Sequence, residues 1–169
     1  MAHRWIVTAL GKDRPGIVAG VTKVLFDLGC NLEDSAMTRL EGEFTIMLIF
    51  SGPARATEET IRRAFAPLER QMRLSVHLKP LSAQETAPPA KRGPPYVISV
   101  YGADRPGIVF HVSELLAKDG VNITDVHTHR SAPGGAGRGK GALYLLLLEV
   151  ELPRRLAVPA LERRLLQLT

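Results

Sequence analysis

Two stretches of this chain are the same stretch, and that limits the fold more than anything else in it. Gly11-Lys12-Asp13-Arg14-Pro15-Gly16-Ile17-Val18 returns as Gly102-Ala103-Asp104-Arg105-Pro106-Gly107-Ile108-Val109. The same shift of 91 residues carries Val21 to Val112, Leu25 to Leu116, Gly29 to Gly120, Asn31 to Asn122 and Asp34 to Asp125 without a gap. From Gly11 to Asp34 half of the positions are identical, which marks an internal duplication. Any fold must therefore be built twice within 169 residues, as two small domains with modest cores. Between the copies, residues 81–94 are rich in proline and alanine and lack periodicity, the composition of a semi-extended linker. The expected domains are residues 1–80 and 95–169.

Each copy reads as β-α-β-β-α-β. Trp5–Leu10 is short and β-prone, and the Asp13-Arg14-Pro15-Gly16 turn follows. Pro15 suits the first position of a helix, because its missing N–H has no partner there anyway. Ile17, Val18, Val21, Val24, Leu25 and Leu28 then recur at helical spacing, and Gly29 closes the helix. Leu32–Leu40 and Phe44–Phe50 read as strands joined by a hairpin at Glu41-Gly42-Glu43. Thr57-Glu58-Glu59 opens a second helix with carboxylates at its positive end, and Pro67 should kink or split it. Leu74, Val76 and Leu78 alternate with polar residues in a final strand. The second copy repeats the order through strand 96–101, helix 106–118, strands 122–130 and 141–152, and helix 159–167, with no room left for a last strand. The expected class is α+β, two ferredoxin-like sandwiches in tandem, the second short of one strand.

Charge and cysteine content narrow the function. The net charge of +5 is spread as +2 over residues 1–80, +1 over 81–94 and +2 over 95–169. No segment is a basic block, so direct nucleic-acid binding is not expected. Cys30 is the single cysteine, which rules out an intrachain disulfide and fits a reducing, cytoplasmic setting. The longest apolar run, Ala142–Leu148, is too short to span a membrane.

A strand, a DRPG turn into a helix, and Gly-x-Asn opening the next strand resemble the ACT domain family, in both copies. The resemblance implies regulatory modules that bind a small amino acid, with glycine the leading candidate. ACT domains usually accompany a metabolic enzyme, whereas two of them fill this sequence. That arrangement implies a non-enzymatic regulator acting through protein contact, on either a transcriptional activator or an amino-acid metabolic enzyme. It also implies pairing of ACT domains, in a homodimer or within the chain.

The expected ligand-binding residues are Gly11, Asp13, Gly16, Ile17 and Asn31, and Gly102, Asp104, Gly107, Ile108 and Asn122. Free N–H groups at a helix start favour a carboxylate by roughly 0.3–1 kcal/mol, and glycine lets a ligand come close. Asp13 and Asp104 could face an ammonium group, and Asn31 and Asn122 carry both donor and acceptor. Each also has a plain structural reading: Asp13 as a helix cap, Gly16 as a packing position, Asn31 as a turn residue.

Other motifs point away from chemistry. Gly134–Gly141 approaches a phosphate-binding loop, but Gly141 stands where a magnesium-binding hydroxyl belongs and a strand pattern follows. His127 and His129 share a strand face without a third ligand nearby in sequence, so no metal is expected. Cys30 reads as a small packed residue, not a nucleophile. No catalytic set and no cofactor are called for.

Overall fold

The computed structural model describes residues 3–82, 94–103, 105–130 and 143–168. Two compact units result, Met1–Pro88 and Pro89–Thr169. The greater part of the linker, residues 83–93, and the glycine-rich loop at 134–141 lie outside the described residues.

Unit 1 is a four-stranded antiparallel sheet, in the order β2-β3-β1-β4, with two helices. Strand β1 (His3–Lys12) alternates, sending Trp5, Val7 and Ala9 into the core. Helix α1 (Ile17–Asp27) buries Ile17, Val21 and Leu25 at the expected spacing. Its end is a glycine-closed cap: Gly29, at φ 70, donates to the Phe26 carbonyl, and Cys30 N–H donates to Leu25 at 2.9 Å. Strands β2 (Asn31–Leu40) and β3 (Glu43–Gly52) meet in a tight hairpin, Leu40 opposite Glu43, with Glu41 at φ 55. Phe44, Ile46, Leu48 and Phe50 of β3 complete the core. Helix α2 (Glu58–Met72) starts at Thr57, whose hydroxyl accepts from Thr60 N–H at 3.3 Å. Strand β4 (Ser75–Leu81) closes the sheet against β1.

Two expectations need correction. Pro15 is not the first helical residue. Gly16 follows it at φ 94, a left-handed conformation that cannot belong to the helix, so α1 begins only at Ile17. The second copy does the same, with Gly107 at φ 94 and α3 (Ile108–Lys118) starting one residue later. Nor does Pro67 split α2. The helix runs on as fifteen residues, because one lost hydrogen bond is outweighed by Ile61 and Phe65 anchored in the core.

Unit 2 repeats the plan with β5 (Pro95–Ala103), α3, β6 (Asn122–Arg130), β7 (Leu143–Glu151) and α4 (Val158–Leu166). Its sheet is three-stranded, in the order β5-β7-β6. Among the described residues no strand lies beside β5 where β4 lies beside β1. Gly120, at φ 67, closes α3 as Gly29 closes α1.

Candidate functional site

The site is built at the turn from β1 into α1. Asp13 leaves the sheet with its N–H donated to the Gly42 carbonyl at 2.9 Å, which pins the turn to the β2–β3 hairpin. Its carboxylate does not cap the helix. Asp13 Oδ2 lies 3.3 Å from Arg39 Nη1 on β2, an ion pair whose side chains are 34% and 67% exposed. Gly16 turns left-handed and offers no side chain, and its carbonyl accepts from Gly20 N–H at 2.8 Å. The N–H groups of the first turn are therefore left without a side-chain partner. The same holds at Gly107 and α3. Ile17 contributes only backbone, because its side chain is 1% exposed and belongs to the core; Ile108 packs against the core of unit 2. Asp104 lies outside the described residues.

The two turn glycines act through conformation. A Cβ on Gly16 would meet nothing nearer than Met72 Cε at 3.8 Å, so φ and not crowding demands glycine. Gly11 is the reverse. There a Cβ would sit 2.8 Å from Leu74 Cδ2 and 3.0 Å from the Arg73 carbonyl oxygen. Gly11 is held by packing against the junction of α2 and β4, while a Cβ on Gly102, its counterpart, would meet none of the described residues within 4 Å.

The asparagines do not join the turns within a unit. Asn31 is opposite Ser51, and Ser51 is opposite Arg4, so Asn31 lies at the start of β1 while Asp13 follows its end. A strand of that length separates them by about 30 Å. In unit 2, Asn122 is opposite Glu151 and Glu151 opposite Pro95, again remote from Gly107. The chain returns along α1 before β2 begins, which carries each asparagine to the far end of the sheet. One small ligand cannot touch both within one unit. Asn122 Nδ2 instead reaches Glu151 Oε2 at 3.5 Å.

Asp34 and Asp125, also shared by the copies, are explained by backbone. The register slips between Leu32 and Asp34 and between Ile123 and Asp125. In each bulge the aspartate accepts from the next residue's N–H at 2.8 Å. His127 Nε2 lies 2.9 Å from Asp125 Oδ2, and no metal-binding group of three ligands occurs among the described residues.

Sequence reading missed Arg39, although it recurs as Arg130 at the same shift of 91. It also missed Tyr144. A cavity of about 270 Å³ opens at the second turn, lined by Arg105, Gly107, Ile108, Val109, Phe110 and Tyr144. A larger one, about 490 Å³, runs between β5 and α4. It lies along the edge of β5 that corresponds to the edge of β1 covered by β4 in unit 1.

The fold and the duplicated turn define a tandem pair of one small α+β module, and family models agree: residues 3–79 and 96–157 each match an ACT domain. The chain belongs to the ACT domain family. It is 33% identical over 126 residues to the glycine cleavage system transcriptional repressor of Escherichia coli K12, across 73% of this chain and 63% of that protein. The match thus spans less than two thirds of that relative. A crystal structure of an unknown protein from Galdieria sulphuraria is 27% identical, with a TM-score of 0.73 over 99% of this chain and 89% of that one. A structure provisionally assigned as a glycine cleavage system transcriptional repressor is 18% identical, with a TM-score of 0.70 over 99% of this chain and 91% of that one, a likeness of fold. Among the described residues no helix is long and apolar enough to cross a membrane.

Proposed function

We propose that the chain is a cytoplasmic, non-catalytic regulator that binds a small amino acid at its two β-to-α turns and passes the signal on by protein contact. The observation that carries this reading is the repeated turn. In both units a left-handed glycine opens a helix that has no side-chain cap, so unpartnered N–H groups are presented to a carboxylate. Kinship with a glycine cleavage repressor favours glycine as the ligand and a transcriptional activator as the partner. Co-purification with an amino-acid metabolic enzyme would move the partner assignment and leave the ligand chemistry intact.

Magnitude bounds the affinity. Glycine has so few heavy atoms that, at about 1.5 kcal/mol each, its binding stops near 7.5 kcal/mol. The Kd is then no tighter than a few micromolar, and about 10 µM to millimolar is expected. Isothermal titration with glycine, serine and the other proteinogenic amino acids tests the reading. Saturable heat with one small amino acid, lost when Asp13→Ala and Asp104→Ala are combined, is the expected result. Silence across the panel at millimolar concentration would refute it.

A further inference from the structure

We propose that the outer edge of β5 is a homodimer surface, on which β5 of a second copy of this chain lies antiparallel across a two-fold axis at Ser99. The proposal is independent of the amino-acid reading and concerns a different part of unit 2.

Unit 1 shows what this edge demands. There β1 pairs on one side with β3 and on the other with β4, which sets Leu78 opposite Val7 and Val76 opposite Ala9. Val7 and Ala9 are fully buried, and Trp5 is 7% exposed. The shift of 91 makes Tyr96, Ile98 and Val100 their counterparts. Ile98 and Val100 lie opposite the core residues Leu148 and Leu146 of β7, so they face the same way. Yet both are only partly buried, and Tyr96 is 37% exposed. The cavity of about 490 Å³ runs beside them toward α4, and Glu162 is the one charged residue that lines it. In unit 1 the same side of the sheet receives a strand with an apolar side chain at every second residue.

The strand β5 can itself supply that pattern. Directly opposed residues of antiparallel strands share a face, so a two-fold axis through the sheet sets one residue opposite its own copy. Ser99 is the midpoint of Pro95–Ala103, and an axis there overlaps the whole strand. Ile98 then lies opposite the partner's Val100, the core-side pairing that Leu78 and Val76 provide in unit 1. On the other face Val97 lies opposite the partner's Tyr101, a β-branched residue against an aromatic one. These two side chains are 66% and 63% exposed in the single chain.

The chemistry of the two edges of this sheet differs in the same direction. Edge strands are guarded against pairing by charge and by bulges. The opposite edge, β6, has both, with a bulge between Ile123 and Asp125 and charges at Asp125 and Arg130. By contrast β5 keeps an unbroken register with β7 and contains no charged residue, so no like charges meet when it pairs with its own copy. A two-fold contact closes on itself and gives a dimer, not a fibre. The strand is about 30 Å long, and one strand beside one helix is about 15 Å across. The two copies together then bury close to ~1,000 Å², the low end for a specific interface. The dimer is therefore weak, with a micromolar Kd, and at the sub-micromolar concentrations of an emission measurement the chain is monomeric.

Sedimentation equilibrium of the full chain, from sub-micromolar to near-millimolar concentration, should show monomer passing into dimer. Opposed residues of paired strands stand about 5 Å apart, within reach of a disulfide, whereas sheets packed face to face stand about 10 Å apart and are not. Ser99→Cys in a Cys30→Ser background should therefore cross-link to a dimer under copper–phenanthroline oxidation. Val97→Lys with Tyr101→Lys should be monomeric throughout, as should Val97→Glu with Tyr101→Glu. An equimolar mixture of those two variants should dimerise again, which also shows that both fold. A parent chain that stays monomeric at near-millimolar concentration would overturn the proposal and leave the amino-acid reading untouched, even if the edge captures a strand of another protein. A parent dimer that Ser99→Cys fails to cross-link, or that survives the paired lysines, would overturn it by placing the contact elsewhere.

Discussion

Gly11 and Gly102 are the same residue of the repeat, yet the same substitution should act on them with opposite sign. In Gly11→Ala the new Cβ arrives 2.8 Å from Leu74 Cδ2 and 3.0 Å from the Arg73 carbonyl oxygen. The leucine can rotate away. The carbonyl cannot, because Arg73 is already held at φ 53 where α2 ends. Backbone must shift, and overpacking of this kind costs about 1–3 kcal/mol. For a unit of this size each kcal/mol lowers the melting midpoint by roughly 4–8 °C. In Gly102→Ala the Cβ meets none of the described residues within 4 Å, and the restricted unfolded chain stabilises the fold by about 0.4–1 kcal/mol. The chain carries its own probes for the two units. Its one tryptophan, Trp5, lies in the core of unit 1, and its three tyrosines, Tyr96, Tyr101 and Tyr144, lie in unit 2. Thermal melts followed at tryptophan and at tyrosine emission therefore read the units separately. Gly11→Ala should lower the tryptophan midpoint alone, and Gly102→Ala should raise the tyrosine midpoint. A Gly102→Ala loss as large as that of Gly11→Ala would refute the reasoning, by showing that β5 is covered in solution as β1 is covered by β4.

Gly16→Ala should destabilise unit 1 by roughly 1–2 kcal/mol through left-handed strain alone, and Gly16→Asn by less, read as shifts of the tryptophan midpoint. Arg39→Gln breaks a solvent-screened pair and should change stability by less than about 1 kcal/mol in urea unfolding; a larger loss would make Asp13 a scaffold residue. Helix α4 begins at Ala157 without a side-chain cap, so Ala157→Ser should stabilise unit 2 by about 0.5–1 kcal/mol in the tyrosine-monitored melt. Burial pushes the Cys30 thiol up, against a smaller lowering by Arg55, so iodoacetamide at pH 8 should label the native chain more slowly than the unfolded one. The raised thiol also sets a sign: its contribution to stability is full below the unfolded thiol pKa and is lost as pH rises through and above it.

The strands and helices were legible because burial follows period. Trp5, Val7 and Ala9 alternate inward, and Ile17, Val21 and Leu25 recur at one helical face, as their letters predict. Gly29 was legible as a helix end because the cap needs a left-handed residue. The start of α1 was not, since Pro15 fits a first helical position equally well and only the φ of Gly16 decides against it. The candidate site was legible at its turn and illegible in its extent. Asn31 follows the turn by fifteen residues, but α1 turns that separation into the length of the sheet. Arg39 and Tyr144 reach the turns through strand register, which no local pattern in their own segments encodes. Duplication offered one clue, the return of Arg39 as Arg130, and it hid the other, because Phe44 and Tyr144 differ.

Every residue of β2 from Asn31 to Leu40 is exposed, on both faces of the sheet's edge, so this strand is the part of unit 1 that the core holds least. Its amides should exchange with solvent by local opening at free energies well below that of global unfolding. Asp13 fastens the first turn to this same strand and its hairpin, through Arg39 and the Gly42 carbonyl. A molecule that settles at the turn therefore grips the border of the most labile region, and the trace of its arrival would be slower deuterium uptake along β2 while the core amides, already slow, stay as they were.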